Sequence, residues 1–147
     1  METPPIYDNF GVRFQYPGNW KIADEQPNEW PRTVSVQSPT GGFWMLHVYQ
    51  DQLDTTELID EVMRTMGQEY EDLESHEATK CFGDVQAEGY DMNFYCLDML
   101  VAAQARAFAV GDRTYLLLCQ AEDQEFDRVA PIFDALTTSL INEMITG

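Results

Sequence analysis

The sequence predicts an α+β domain with a central, largely antiparallel sheet, and three observations lead there. Apolar residues alternate with polar ones at Phe10, Val12, Phe14 and Tyr16 and again at Val34 and Val36, the period of a strand with one buried face. The runs Phe43 to Tyr49 and Thr114 to Ala121 are apolar at nearly every position, as strands covered on both faces are. Two further segments, Thr55 to Tyr70 and the stretch after Asp123, place apolar residues at helical steps.

Taken in order, Phe10 to Tyr16 reads as a first strand, Pro17-Gly18-Asn19 as a turn and Trp20 to Ala23 as the returning strand of a hairpin. A polar, proline-bounded loop follows from Asp24 to Pro31. Thr33 to Gln37 and Phe43 to Tyr49 form a second hairpin about the turn Pro39-Thr40-Gly41-Gly42. Asp54 is placed to cap a helix with Glu57 at its third position, and Leu58, Ile59, Val62, Met63, Met66 and Tyr70 form its apolar stripe.

Glu77 to Cys81 reads as a short strand after an acidic loop, Glu71 to Glu77. Val85 to Leu97 and Met99 to Val110 then make a long pair, with Tyr90, Met92, Phe94 and Cys96 on one face of the first and Ala103, Ala105, Ala107 and Ala109 on one face of the second. Such an alanine strip admits a helix close to the sheet. Gly111-Asp112 turns the chain into Thr114 to Ala121. The final helix opens at Asp123 with Phe126, Val129, Phe133, Leu136 and Leu140 on one stripe, and Pro131 predicts a kink or break in it. The two helices are expected on opposite faces of the sheet.

At 147 residues, 44% of them hydrophobic, the chain has the size and composition of one globular domain spanning 1–147. Its 26 acidic residues against 8 basic ones give a net charge of -18. A surface this negative repels nucleic acid and anionic lipid, which argues against a nucleic-acid or membrane role and leaves as the expected partner another protein with a basic or apolar surface. With Met1 as the native start, the first ten residues lack a basic region followed by an apolar run, and no stretch reaches the roughly 18 apolar residues of a membrane span. The expected location is the cytoplasm. Cys81, Cys96 and Cys119 are odd in number and far apart, which predicts reduced, buried thiols in strands.

Chemistry finds little footing. His47 shares a strand face with Phe43, Met45 and Tyr49 and reads as a sheet histidine, while His76 falls in the acidic loop, so neither is expected to serve a Ser or Cys nucleophile. The cysteines lack the close spacing of a zinc site. Glu69, Glu71, Asp72, Glu74 and Glu77 lack the pattern that preorganises a calcium loop and read as a solvated charge run. No phosphate-binding glycine loop is present, and no cofactor is expected. Trp30, between Pro27 and Pro31, is the candidate binding residue, because an exposed tryptophan is a favoured interface anchor; the alternative is a Trp30 folded back as a lid over the sheet edge. Trp20 and Trp44 read as core, as do Met63 and Met66.

The segment Phe14-Gln15-Tyr16-Pro17 through Trp20, and the ending Glu125-Phe126 through Pro131-Ile132-Phe133 to Ser139-Leu140, resemble the first hairpin and last helix of the PsbP/Mog1-like family, which includes bacterial proteins of unknown function. The resemblance spans essentially the whole chain. It implies an α/β/α sandwich around an antiparallel sheet and, in members whose roles are known, binding to other proteins: a Ran GTPase binding factor, an extrinsic photosystem subunit and chaperones of type VI secretion effectors. The matching motifs are core and turn positions, so they bear on fold and not on activity. The expected function is a non-enzymatic protein-binding domain, an adaptor or chaperone, with a homo-oligomer open. The alternative is a small-molecule-binding protein or carboxylate-dependent hydrolase.

Overall fold

The computed structural model describes residues 3–24 and 29–146. Its strands are β1 (Ile6–Asn9), β2 (Val12–Gln15), β3 (Lys21–Ala23), β4 (Arg32–Gln37), β5 (Phe43–Tyr49), β6 (Glu74–Phe82), β7 (Val85–Cys96), β8 (Met99–Val110) and β9 (Arg113–Glu122). The helices are α1 (Thr55–Glu69), between β5 and β6, and α2 (Asp123–Thr146), after β9. β3 to β9 form one antiparallel sheet in the order β3-β4-β5-β9-β8-β7-β6, while β1 and β2 pair only with each other.

The helices cover opposite faces, as their apolar stripes require. On one face Val129, Phe133, Leu136, Leu140 and Ile141 of α2 meet Trp44, Leu46, Val48, Leu117, Cys119 and Phe108, with Val12 and Phe14 of the β1–β2 hairpin in the same core. Trp44 is fully buried, and its Nε1 donates to Thr137 Oγ1 at 2.9 Å, which satisfies the indole N–H inside the core. On the other face Ile59 of α1 sits in a second core with Met92, Phe94, Ala103, Ala105, Ala107 and Leu116. The alanine strip lies beneath this helix: Ala105 is wholly buried and Ala103 and Ala107 nearly so, whereas Ala109 is exposed beyond it. Asp54 caps α1 by accepting from the N–H groups of Thr56 and Glu57 at 2.9 and 3.2 Å, worth about 1 kcal/mol.

Several expectations are corrected. The strand from Val12 pairs with Ile6–Asn9 rather than with Trp20 to Ala23, because Phe10 and Gly11 take φ of 41° and 82° and make the two-residue turn themselves. Lys21–Ala23 instead forms a sheet edge against β4. Of the loop between them, residues 25–28 lie outside the described residues. The strand expected at Glu77 begins at Glu74, so His76 belongs to an edge strand rather than to a loop. β5 buries Trp44, Leu46 and Val48 but leaves Phe43, Met45, His47 and Tyr49 half-buried, since α1 lies over β7 and β8 and stops short of it. α2 is unbroken at Pro131, which stands on the exposed side of the helix together with Asp127, the residue whose carbonyl the proline leaves without its helical partner. The three cysteines are free and lie in strands, but only Cys119 is buried; Cys81 points out from the edge strand and is exposed.

Candidate functional site

Trp30 stands where the chain enters β4, against the turn of the β1–β2 hairpin. Its ring meets Phe10 edge to face, with centroids 5.9 Å apart, and the Arg113 guanidinium lies 4.9 Å from its centre. Arg32 covers the Phe10 ring at 3.8 Å. The result is a cluster in which two edge-to-face rings, Phe10 and Trp30, are each faced by one guanidinium, Arg32 and Arg113 respectively. Arg113 Nη1 also donates to the Phe10 carbonyl at 2.7 Å. Asp24 closes the cluster by accepting from the Tyr7 hydroxyl, from Asn9 at 3.1 Å and from Arg32 at 3.5 Å. Burial, reinforced by the Asp24 carboxylate, pushes the Tyr7 hydroxyl far above its ordinary range. Of the two cations Arg32 is buried, so the cluster serves chiefly to fix the β1–β2 turn against the entry to β4. Trp30 itself is half-buried.

Carboxylates gather elsewhere. At the start of α2, Asp123 and Asp127 face His76, Asp91, Asn93 and Gln104 across an open hollow of about 260 Å³, with Phe126 on its wall. Asp91 binds Arg106 at 2.5 Å, and Asp123 accepts from Asn93 Nδ2 at 3.1 Å. Arg106 is 5% exposed and spends its Nη1 on the carbonyls of Tyr90 and Ala105, so it braces the floor of the hollow. A second hollow, of about 170 Å³ beside the start of α1, is lined by Thr56, Asp60, Glu77, Glu88 and Tyr90. Glu88 is held there by the Thr55 and Thr56 hydroxyls at 3.0 and 2.8 Å. Among the described residues no group of three or more His, Cys, Asp or Glu is disposed to hold a metal ion.

His47 lies away from both hollows. Its Nδ1 is 2.9 Å from Thr33 Oγ1, and burial holds its imidazole below the ordinary value. The acidic run after α1 spreads over solvent, with Glu69, Glu71, Glu74 and Glu77 all exposed. Sequence spacing gave no hint of the Arg32–Phe10–Trp30–Arg113 cluster, whose members come from three separate parts of the chain: Phe10, the Trp30–Arg32 segment and Arg113. The hollow at α2 was equally hidden, because pairing of β6, β7 and β8 brings its polar side chains together.

Neither a family model nor a curated protein matches the sequence. Solved structures do match by shape. Cyanobacterial PsbP (CyanoP) from Synechocystis sp. PCC 6803 superposes with a TM-score of 0.67 at 12% identity, over 95% of this chain and 92% of its own. The chain has the PsbP/Mog1-like fold. The Ran-binding protein Mog1p of Saccharomyces cerevisiae superposes with a TM-score of 0.53 at 12% identity, over 99% of this chain and 94% of its own. A Pseudomonas aeruginosa protein of unknown function, PA94, described as a putative regulator, gives 0.55 at 8% identity, over 95% and 96%. At such identities the PsbP/Mog1-like fold is what is shared. No helix among the described residues is long and apolar enough to cross a membrane.

Proposed function

We propose that the chain is a non-enzymatic domain that binds another protein presenting basic and apolar surface. One observation carries this reading. Arg13, Arg32, Arg64, Lys80, Arg106 and Arg128 each pair with carboxylates of the same chain, so the surplus of 26 acids over 8 bases is left to face solvent and whatever approaches it. Such a field steers a basic partner and repels an acidic one. The hollow at α2, with Asp123 and Asp127 beside Phe126, suits a lysine or arginine side chain of that partner. Trp30 is the aromatic contact residue of this proposal, presented on the opposite end of the sheet. Mog1p, a Ran-binding protein of this fold, adds a precedent for protein binding.

The test is capture on the immobilised wild-type chain against an Asp123→Lys, Asp127→Lys double variant and a Trp30→Ala variant. Recovery of the same basic protein by the wild type, weakened by salt and by charge reversal, supports the reading. Recovery of no specific protein by the wild type overturns it. A second reading, a carboxylate-dependent hydrolase, has the meeting of His76 with Asp91, Asp123 and Asp127 in its favour. Turnover of glycoside or ester substrates that vanishes in His76→Ala would select that reading instead.

A further inference from the structure

Two turns of this protein have the two-residue form that takes positive φ at both central positions, which suits Asn-Gly and penalises a bulky first residue. In the first, Phe10 at φ 41° is repaid by its contacts with Trp30 and Arg32. In the second, the β7–β8 turn, Leu97 and Asp98 take φ of 52° and 64°, yet Leu97 is 90% exposed and packs on nothing. Tyr95 and Met99 flank it at 57% and 51% exposure. The pair also overhangs its neighbours: β6 stops opposite Asn93 and β9 opposite Val101, so the last residues of the hairpin project past the sheet.

A strained leucine held out into water, between an exposed tyrosine and an exposed methionine, is costly to the folded chain and unexplained by it. We infer that the β7–β8 hairpin tip is an apolar knob that inserts into an apolar pocket of a partner protein rimmed by lysine and arginine. The rim follows from charge. Residues 70–76, 91–103 and 118–127, which lie at this end of the sheet, contain no Lys or Arg, and Arg128 just beyond them pairs with Glu125. Glu122 stands opposite Val101 beside the knob, Asp98 occupies its apex, and Tyr70 stacks on Phe94 at 4.1 Å, which brings the following Glu71 and Asp72 to its other side. By strand alternation Tyr95 shares a face with Asn93 and Asp91, so the knob continues into the acidic hollow at α2. A nucleic acid or an anionic bilayer is repelled from this end, whereas an apolar pocket with a basic rim is matched in both respects.

This inference rests on the protein-binding reading and fails separately from it. A photo-crosslinking phenylalanine analogue is placed at Leu97 and, as a control, at exposed Asp84 in the β6–β7 turn at the far end of the sheet. Adducts with a basic protein are expected from position 97 and not from 84. Their yield is expected to fall several-fold as salt rises from about 0.1 to 1 M and the Debye length shrinks from roughly 10 to 3 Å, and on Glu122→Lys. Leu97→Asn relieves the turn, so its melting point is expected to rise by roughly 3 °C while affinity for the captured protein drops at least about tenfold. Equal adducts from both positions, unchanged affinity of Leu97→Asn, or an adduct only with a second copy of the chain overturns the knob. If the wild type recovers a basic protein that Leu97→Asn recovers equally well, the knob falls while the protein-binding reading stands. If the wild type recovers none, both fall.

Discussion

Adding one methyl group at Gly89 tests how closely β7 and β8 approach. A Cβ built there would lie 1.7 Å from the Ala105 carbonyl oxygen, 2.7 Å from the Ala105 carbonyl carbon and 3.1 Å from the Arg106 Cα. All three neighbours are backbone, so no side chain is available to swing aside. The strands must part locally by more than an ångström, in the ladder where Gly89 opposes Arg106 and where Arg106 Nη1 holds the Tyr90 and Ala105 carbonyls at 2.9 and 3.0 Å. Overpacking of this kind costs about 1–3 kcal/mol, and weakening one or two buried hydrogen bonds adds about 1 kcal/mol each. Gly89→Ala is therefore expected to destabilise by roughly 2–5 kcal/mol, a large share of the 5–15 kcal/mol typical of a domain. Urea unfolding followed by tryptophan fluorescence reads it as a lower midpoint at unchanged slope. Gly67 supplies the opposite sign: it is exposed in α1 with nothing within 4 Å of a built Cβ, so Gly67→Ala should gain about 0.5–1 kcal/mol. A Gly89→Ala midpoint within about 0.5 kcal/mol of the wild type would refute the close approach.

Other perturbations follow from the two cores and the sheet histidine. Thr137→Val strands the buried Trp44 N–H and should cost about 1–3 kcal/mol in thermal unfolding. Ala105→Leu forces three more carbons under α1 at a wholly buried position and should cost about 1–3 kcal/mol, whereas Ala109→Leu, exposed beyond the helix, should change stability little. Burial lowers the His47 pKa from its ordinary 6.5, so the unfolded chain takes up this proton first as pH falls. The stability of the wild type relative to His47→Gln should be full above about pH 6.5 and decline as pH drops through that value toward the folded-state pKa. Urea midpoints of the two proteins across that window measure it, and parallel curves would show that His47 is solvated.

The sequence exposed those parts of the fold that rest on periodicity. The stripe from Leu58 to Tyr70, the alternation through Met92 and Phe94, and the alanine strip all report which face of an element is buried, and the structure places each as its period demands. Turns with two readings were harder to see. Gly11 fitted a strand pattern equally well as a polar alternate, and only its φ of 82° shows that it bends the chain. Pro131 reads as a helix breaker, but its cost depends on whether the freed carbonyl meets water, which the exposed face of α2 provides. The candidate site was least legible. Trp30 stood out by type alone, while the partners that fix it, Phe10 and Arg113, are joined to it only by the fold. The β7–β8 tip carried a signal that propensity makes visible after the fact: Leu97-Asp98 sits where Asn-Gly belongs.

The sheet order carries a consequence for the birth of the molecule. β5 finds its inner neighbour only in β9, with Met45 opposite Leu118 and Tyr49 opposite Thr114. A chain emerging from the ribosome therefore presents the apolar β4–β5 hairpin, with Trp44, Leu46 and Val48 along it, long before the strand and the terminal helix that bury it exist. Local pairings such as β6–β7 and β7–β8 form early, but the two halves of the sheet join by the slow closure of a long loop. The half-made sheet, with an open β5 edge, is therefore the species most exposed to aggregation while β9 and α2 are still to be made.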